Sequence, residues 1–277
     1  MNVIFWSAFP GVSGVSSSML SIALCTAAEY RIRCSVSQLH FGANGLLQPL
    51  IVTNEESAQF FENTGIGALI RATKGGAAST ETVESCSFSF IEKKLNVFTK
   101  AKAVDEHIYE NDLLSSIDKV FESLNGTFKV NFIDVPAGVN AYSKAAIKHA
   151  DYVVICLPQS EWMINEFFDK FALPKEKVFY LFGNYDPLQY INVNNFSWKH
   201  KKEITRGRCA AIPHCTDFAN HLNKSRAIAF FTQNLAAKPK DANFQYMRET
   251  KRATNSILRM CGVLKGGGNL NDAEFDN

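Results

Sequence analysis

Residues 131–138 read Asn-Phe-Ile-Asp-Val-Pro-Ala-Gly, an apolar segment that ends in an acid and a turn. This pattern predicts a buried β-strand that ends at Asp134, followed by a turn that Pro136 makes rigid. In an open parallel sheet, ligands bind just beyond the carboxyl ends of the strands. We therefore expect the Asp134 carboxylate to face a metal ion or a metal-bound water at such an edge.

A loop with two glycines lies upstream of this acid, between an apolar segment and a helical one. Asn2 to Phe9 is an apolar run that predicts a buried strand, and Met19 to Tyr30 is rich in Leu, Ala and Ile and predicts a helix. Residues 10–17, which we name the glycine loop, read Pro-Gly-Val-Ser-Gly-Val-Ser-Ser. A strand, a glycine-rich loop and a helix in this order are typical of phosphate-binding sites, where backbone N–H groups hold an anion.

Together, the two motifs resemble those of the MinD/ParA family of deviant Walker A P-loop ATPases. That family carries an Asp-x-Pro-Ala-Gly stretch and a loop of the form Lys-Gly-Gly-x-Gly-Lys-Ser/Thr. The resemblance implies that Ser16 and Asp134 hold Mg²⁺ and that the glycine loop binds ATP or ADP. The residues that it implies for nucleotide binding are Gly11, Val12, Ser13, Gly14, Val15, Ser16, Ser17, Asn184 and Pro213.

Three positions of the glycine loop depart from the family pattern. Pro10 stands at the signature lysine, Val12 at the second glycine and Val15 at the P-loop lysine. The P-loop lysine places a positive charge on the β- and γ-phosphates, and valine supplies neither a charge nor a hydrogen-bond donor. We therefore expect nucleotide binding to be weak and hydrolysis to be weak or absent.

The strand predicted at Cys34 to Phe41 lacks the aspartates that orient the attacking water in the family. Gln38 and His40 occupy those positions. His40 is the candidate catalytic residue, because an imidazole titrates near neutral pH and can act as a base. An ordinary hydrogen-bonded histidine is the alternative, and a single histidine at a strand end favours it.

The remaining elements follow the family order, which predicts a three-layer α/β fold with a doubly wound, mostly parallel twisted sheet between helices. We predict helices at 56–63, 111–123, 145–150 and 161–171, and strands at 87–91, 95–99, 151–158, 178–184 and 209–213. No charged residue precedes Glu29, but Pro10 and the glycines interrupt the apolar run. We therefore expect a strand and a loop there rather than a signal peptide or membrane anchor.

Composition changes near the C-terminus and divides the chain into three parts. We predict a P-loop domain over residues 1–237, a basic helical region over 238–265 and a disordered tail over 266–277. The basic helix is expected to dock on its own domain or on a partner. Family resemblance makes membrane contact an alternative, but the small apolar cluster and the acidic tail disfavour it.

Charge and cysteine content limit the class of protein. The 29 basic and 27 acidic residues give a net charge of +2, so no overall field calls for nucleic acid or membrane. Basic residues gather at 199–208, which indicates a solvated face or, alternatively, a patch for DNA or a partner. The seven cysteines form no Cys-x-x-Cys pair and indicate a reducing compartment.

A second glycine-containing segment, Lys74 to Thr80, resembles the family loop in its letters alone. No apolar strand precedes it, so we predict a surface turn. Lys74 or Arg71 remains an alternative source of the missing positive charge, supplied to another copy of the chain.

Members of the resembled family that lose P-loop lysines include the TadZ/CpaE-type pilus-assembly localisation proteins. The resemblance therefore implies a cytoplasmic positioning or scaffolding protein that forms a homodimer. Its protein partners would belong to a pilus, secretion, conjugation or partition machine. Two alternatives stay open: an active ATPase that cycles between monomer and nucleotide-bridged dimer, and an interaction module that binds no ligand.

Overall fold

The computed structural model describes residues 1–41, 45–52, 64–100 and 105–264. The strands are β1 Asn2–Trp6, β2 Cys34–Gln38, β3 Phe88–Phe90, β4 Leu95–Val97, β5 Val130–Asp134, β6 Tyr152–Leu157, β7 Val178–Tyr185 and β8 Cys209–Pro213. The helices are α1 Val15–Ala28, α2 Ile66–Ala72, α3 Thr80–Ser85, α4 Glu106–Thr127, α5 Ala141–His149, α6 Glu161–Lys170, α7 Val193–Lys199, α8 Thr216–Asn223, α9 Ala227–Asn234 and α10 Phe244–Met260.

The strands form one sheet in the order β3-β4-β2-β5-β1-β6-β7-β8. Neighbouring strands are parallel, except for the antiparallel pair β3 and β4 at one edge. The chain order reverses at β1, which lies between β5 and β6. Ligands of open parallel sheets bind at such a reversal, beyond the carboxyl ends of the strands.

Hydrophobic side chains of β1 alternate between two clusters, one on each face of the sheet. Val3 and Phe5 pack in the cluster that contains α1, and Ile4 and Trp6 pack in the cluster that contains α4 and α6. Successive strand residues point to opposite faces, so a fully buried strand needs helices on both sides. The predicted three-layer, doubly wound, mostly parallel α/β fold is confirmed.

Two strands end three residues earlier than the sequence predicts. β1 ends at Trp6 rather than Phe9, and β2 ends at Gln38 rather than Phe41. The carbonyl of Ser7 instead accepts a hydrogen bond from the Gly138 N–H, at 2.9 Å. The residues that follow each strand are therefore free to form the loops of the candidate site.

Three helices begin four or five residues before their predicted starts, and caps explain two of them. Before α5, the Asn140 side chain accepts from the Ser143 N–H while the Ser143 hydroxyl accepts from the Asn140 N–H. Before α4, the Asp105 side chain accepts from two backbone N–H groups of the first turn. Each cap satisfies donors that the first helical turn leaves open. Before α1, Gly14 adopts a left-handed conformation.

The basic C-terminal helix α10 packs against α1 and β8. Its buried residues include Tyr246, Met247, Ile257 and Leu258. In the described residues, no helix combines the length and the apolarity that crossing a membrane requires. The predicted helix at 56–63 and the predicted tail at 266–277 lie outside the described residues, and the boundary at residue 237 stays a prediction.

Candidate functional site

The glycine loop lies between the end of β1 and the start of α1, beside the carboxyl ends of the central strands. Gly11 and Gly14 have φ values of +76° and +57°, which favour glycine over residues with a Cβ. Val12 is not among the residues with positive φ and is half exposed. The loop therefore accepts valine at the position of the family's second glycine without backbone strain there.

Gly183 of β7 allows the glycine loop to pack closely against that strand. A Cβ on Gly183 would overlap the Ser13 carbonyl and the Ser18 hydroxyl, so only glycine allows this close approach. On the other side, the Ser13 hydroxyl lies 3.0 Å from the Ser7 hydroxyl and is buried. A glycine inside a predicted strand was the available signal for Gly183, and the sequence interpretation did not use it.

The buried carboxylate of Asp134 is the centre of a cluster with Ser16, Gln38 and His40, which we name the Asp134 cluster. Its Oδ2 accepts hydrogen bonds from Ser16 Oγ at 2.6 Å and from Gln38 Nε2 at 3.1 Å. Its Oδ1 lies 3.3 Å from His40 Nε2. Sheet register brings Gln38 to Asp134, because β2 pairs with β5 so that the two residues stand opposite each other.

The contact between His40 and Asp134 is a close approach rather than a formed hydrogen bond. Nε2 and Oδ1 are within ion-pair distance, yet neither atom has a hydrogen-bond partner. The structure thus brings the predicted residues Ser16, His40 and Asp134 together, and it adds Gln38 as an unpredicted member.

The oxygen atoms of this cluster fit Mg²⁺, which prefers oxygen ligands. Asp134 Oδ1 and Gln38 Oε1 are buried and have no hydrogen-bond partner, and Ser16 contributes a hydroxyl. Among the described residues, no three His, Cys, Asp or Glu side chains are grouped to hold a metal ion. Water or a bound phosphate would therefore have to complete the coordination of Mg²⁺ at Ser16 and Asp134.

A cavity of about 250 Å³ lies beside the glycine loop, and we name it the loop cavity. Its lining includes Ser17, Asn184 and Pro213, three of the residues for which the family resemblance implies nucleotide binding. Asn184 also contacts the loop, because a Cβ on Gly14 would lie 3.0 Å from its Nδ2. The cavity therefore joins the glycine loop to the ends of β7 and β8.

Tyr246 of α10 is an unpredicted part of the loop cavity. Its hydroxyl lies 2.7 Å from the Ser21 hydroxyl of α1, and its ring packs against Phe218 at a centroid distance of 5.3 Å. Burial raises the pKa of Tyr246, so the phenol stays protonated at neutral pH. Tyr246 lies on the C-terminal helix α10, and the sequence alone does not show that this helix packs beside the glycine loop.

Two other predicted segments lie outside this group. Lys74 lies between α2 and α3, and its Nζ is 3.2 Å from Asp112 Oδ1, so the surface turn predicted there agrees with the structure. In the 199–208 patch, Lys199 pairs with Glu161 at 2.6 Å and Arg208 donates to the Glu176 carbonyl. Intramolecular contacts therefore use part of the positive charge of that patch.

The comparisons with known proteins find similar solved structures but no matching family model or curated protein. No family model matches the sequence, and no curated protein matches it. A ParA family ATPase from Chlorobium tepidum TLS has a similar structure, with a TM-score of 0.68 and 12% identity, over 92% of this chain and 98% of that one. The chain has the ParA/MinD fold.

Two MinD structures share the ParA/MinD fold with this chain. The septum site-determining protein MinD of Pyrococcus horikoshii OT3, complexed with Mg-ADP, gives a TM-score of 0.65 and 14% identity over 95% of this chain and 98% of that one. The MinC:MinD cell division protein complex of Aquifex aeolicus gives 0.58 and 14% over 94% and 96%. At such identities the likeness establishes the fold alone.

Proposed function

We propose that this chain is a positioning or scaffolding protein of the MinD/ParA kind with a degenerate nucleotide site. The observation that carries the proposal is the Asp134 cluster beside a glycine loop that contains no lysine or arginine. The arrangement keeps the oxygen atoms that suit Mg²⁺ and lacks the cation that would face the phosphates. A site of this kind favours weak binding over rapid turnover.

The described residues support particular roles for a weakly held ATP or ADP. Backbone N–H groups of the glycine loop and of the first turn of α1 would face the phosphates, because a helix N-terminus favours anions. Mg²⁺ at Ser16 and Asp134 would neutralise part of the phosphate charge. Asn184, Pro213 and the ring of Tyr246 would enclose the base in the loop cavity.

His40 is proposed to orient Asp134 rather than to activate water. Its Nε2 lies against the Asp134 carboxylate, and the same carboxylate already accepts from Ser16 and Gln38. Because Nε2 faces Asp134, that nitrogen is not available to accept a proton from water. This arrangement supports absent or slow hydrolysis.

The partners and location of the protein are part of the proposal. We infer a cytoplasmic homodimer that serves a pilus, secretion, conjugation or partition machine, of the kind that TadZ/CpaE-type proteins serve. Seven free cysteines support a reducing compartment. The exposed Lys201, Lys202 and Arg206 keep DNA as a candidate partner, whereas the packing of α10 against α1 argues against its release to a membrane.

ATP turnover tests the proposal against the active-ATPase alternative. Purified protein with Mg-ATP should release phosphate no faster than an Asp134→Ala variant, and Asp169→Ala, which changes an exposed acid, serves as the matched control. Turnover in the unmodified chain and in the control that is lost in Asp134→Ala would contradict the proposal. Nucleotide binding that is undetectable even at millimolar concentration would instead favour the ligand-free interaction module.

A further inference from the structure

A second hollow, of about 340 Å³, lies between α5 and the chain that follows α6. We name it the lysine hollow, and it shares no lining residue with the loop cavity. Its apolar lining comes from Trp6, Ile147, Phe171 and Leu173. Its volume lies at the lower end of ligand pockets, which span roughly 300–1,000 Å³.

The floor of the lysine hollow is held in place by aromatic packing and by one hydrogen bond. The Trp6 and Phe171 rings meet edge to face, with centroids 5.2 Å apart. The Trp6 indole N–H donates to the Gly138 carbonyl at 3.0 Å. Because these contacts already fix the ring, a ligand would enter a preformed apolar surface at a low ordering cost.

Two exposed lysines stand where the hollow opens to solvent. Lys144 and Lys148 both line it from α5, and Val139, which is 58% exposed, lines it beside them. Four residues apart on a helix, the two lysines lie about 6 Å apart at Cβ and repel each other. Neither ammonium group has an ion-pair or hydrogen-bond partner in the described part of the chain.

We propose that the lysine hollow docks a peptide segment of a partner protein, which inserts one bulky apolar side chain and pairs flanking carboxylates with Lys144 and Lys148. Charge complementarity identifies the acidic occupant, because two unpaired cations border an apolar cavity. The geometry disfavours nucleic acid, since Trp6 is 2% exposed and offers no face on which a base could stack. The Ser143 hydroxyl is already used, because it donates to the Gly138 carbonyl.

Fluorine NMR of protein labelled with 5-fluorotryptophan tests the proposal, because the chain has three tryptophans. Trp162→Phe and Trp198→Phe, both at exposed positions, identify the remaining resonance as that of Trp6. The probe peptide acetyl-Glu-Glu-Phe-Glu-Glu-amide should shift the Trp6 resonance saturably. Peptides in which Phe is replaced by Ala, or all four Glu by Lys, should leave it unchanged.

Charge reversal at the mouth supplies the matched comparison. The pair Lys144→Glu and Lys148→Glu should weaken peptide binding by about tenfold, while thermal unfolding stays the same because both positions are exposed. Reversal of Lys201 and Lys202, two exposed lysines that do not line the hollow, should leave binding unchanged.

Three results would overturn the proposal. The acidic peptide could leave the Trp6 resonance unmoved at millimolar concentration. The two reversals could weaken binding equally, which would indicate a general charge effect. Decanoate could shift Trp6 while the peptide does not, which would assign the hollow to a small amphiphilic acid instead.

Discussion

Asp134 is buried next to a loop without basic residues, so neutral donors and His40 surround its carboxylate. Ser16 and Gln38 each donate a hydrogen bond to this carboxylate. The glycine loop offers phosphate backbone N–H groups and serine hydroxyls but no positively charged side chain. At the scale of single residues, the missing charge at Val15 is therefore the feature that should limit nucleotide affinity.

Restoring that charge gives a direct prediction. Val15→Lys should raise the affinity for Mg-ADP by roughly ten- to 150-fold, because a hydrogen bond to a charged group contributes roughly 1.5–3 kcal/mol. Val15 is partly buried at the start of α1, and the methylene stem of lysine can cover the same apolar surface. Calorimetric titration measures the change. Val15→Met, similar in length and uncharged, is the control, and an equal gain in Met would refute the electrostatic explanation.

At the scale of elements, the glycine loop depends on how closely it approaches β7. Gly183→Ala should destabilise the fold by about 1–3 kcal/mol, because the added Cβ would overlap Ser13 and Ser18. Chemical denaturation would measure this loss. Gly75→Ala is the matched control, since no atom lies near its Cβ position and its φ is not positive. If both variants unfold at the same denaturant concentration, the loop is not seated as described.

Much of the element order could be predicted from sequence, and the reasons are local. The strand Val130–Asp134 can be predicted from its apolar composition. The turn at Pro136 can be predicted because proline restricts the backbone. Helices α4 and α5 begin before the apolar residues that predict them, because Asp105 and Asn140 cap their first turns. Gln38 stands at a family aspartate position in the sequence, but Tyr246 could not be placed at the site, since helix packing brings it there from a distant part of the chain.

At the scale of the whole molecule, the burial of each cysteine determines how fast its thiol should react. Burial raises the pKa of Cys25 and of Cys209 to about 12, and it raises the pKa of Cys215 above its usual range. Cys209 has a small exposed surface, but neighbouring atoms enclose almost all of its side chain. A raised pKa leaves little thiolate at pH 8, so buried thiols should react slowly.

Thiol labelling of the native protein should therefore modify Cys215 first, because it is partly exposed at the loop cavity. The unfolded chain should expose all seven thiols. Mass spectrometry after a timed pulse of maleimide would identify the labelled residue. Millimolar Mg-ADP should slow labelling of Cys215 if the base enters the loop cavity, and sodium phosphate at equal ionic strength is the control. Faster labelling of Cys25 than of Cys215 would contradict the packing of α1 against α10.

We infer that the ParA/MinD fold of this chain carries a nucleotide site without its phosphate-binding cation. Calorimetric titration of the unmodified protein with Mg-ADP tests it most directly, with light scattering to follow size. We predict a dissociation constant weaker than about 100 μM, equivalent to less than about 5.5 kcal/mol of binding free energy. A dissociation constant in the low micromolar range would contradict the claim, because it would show that the site needs no lysine or gains its charge elsewhere.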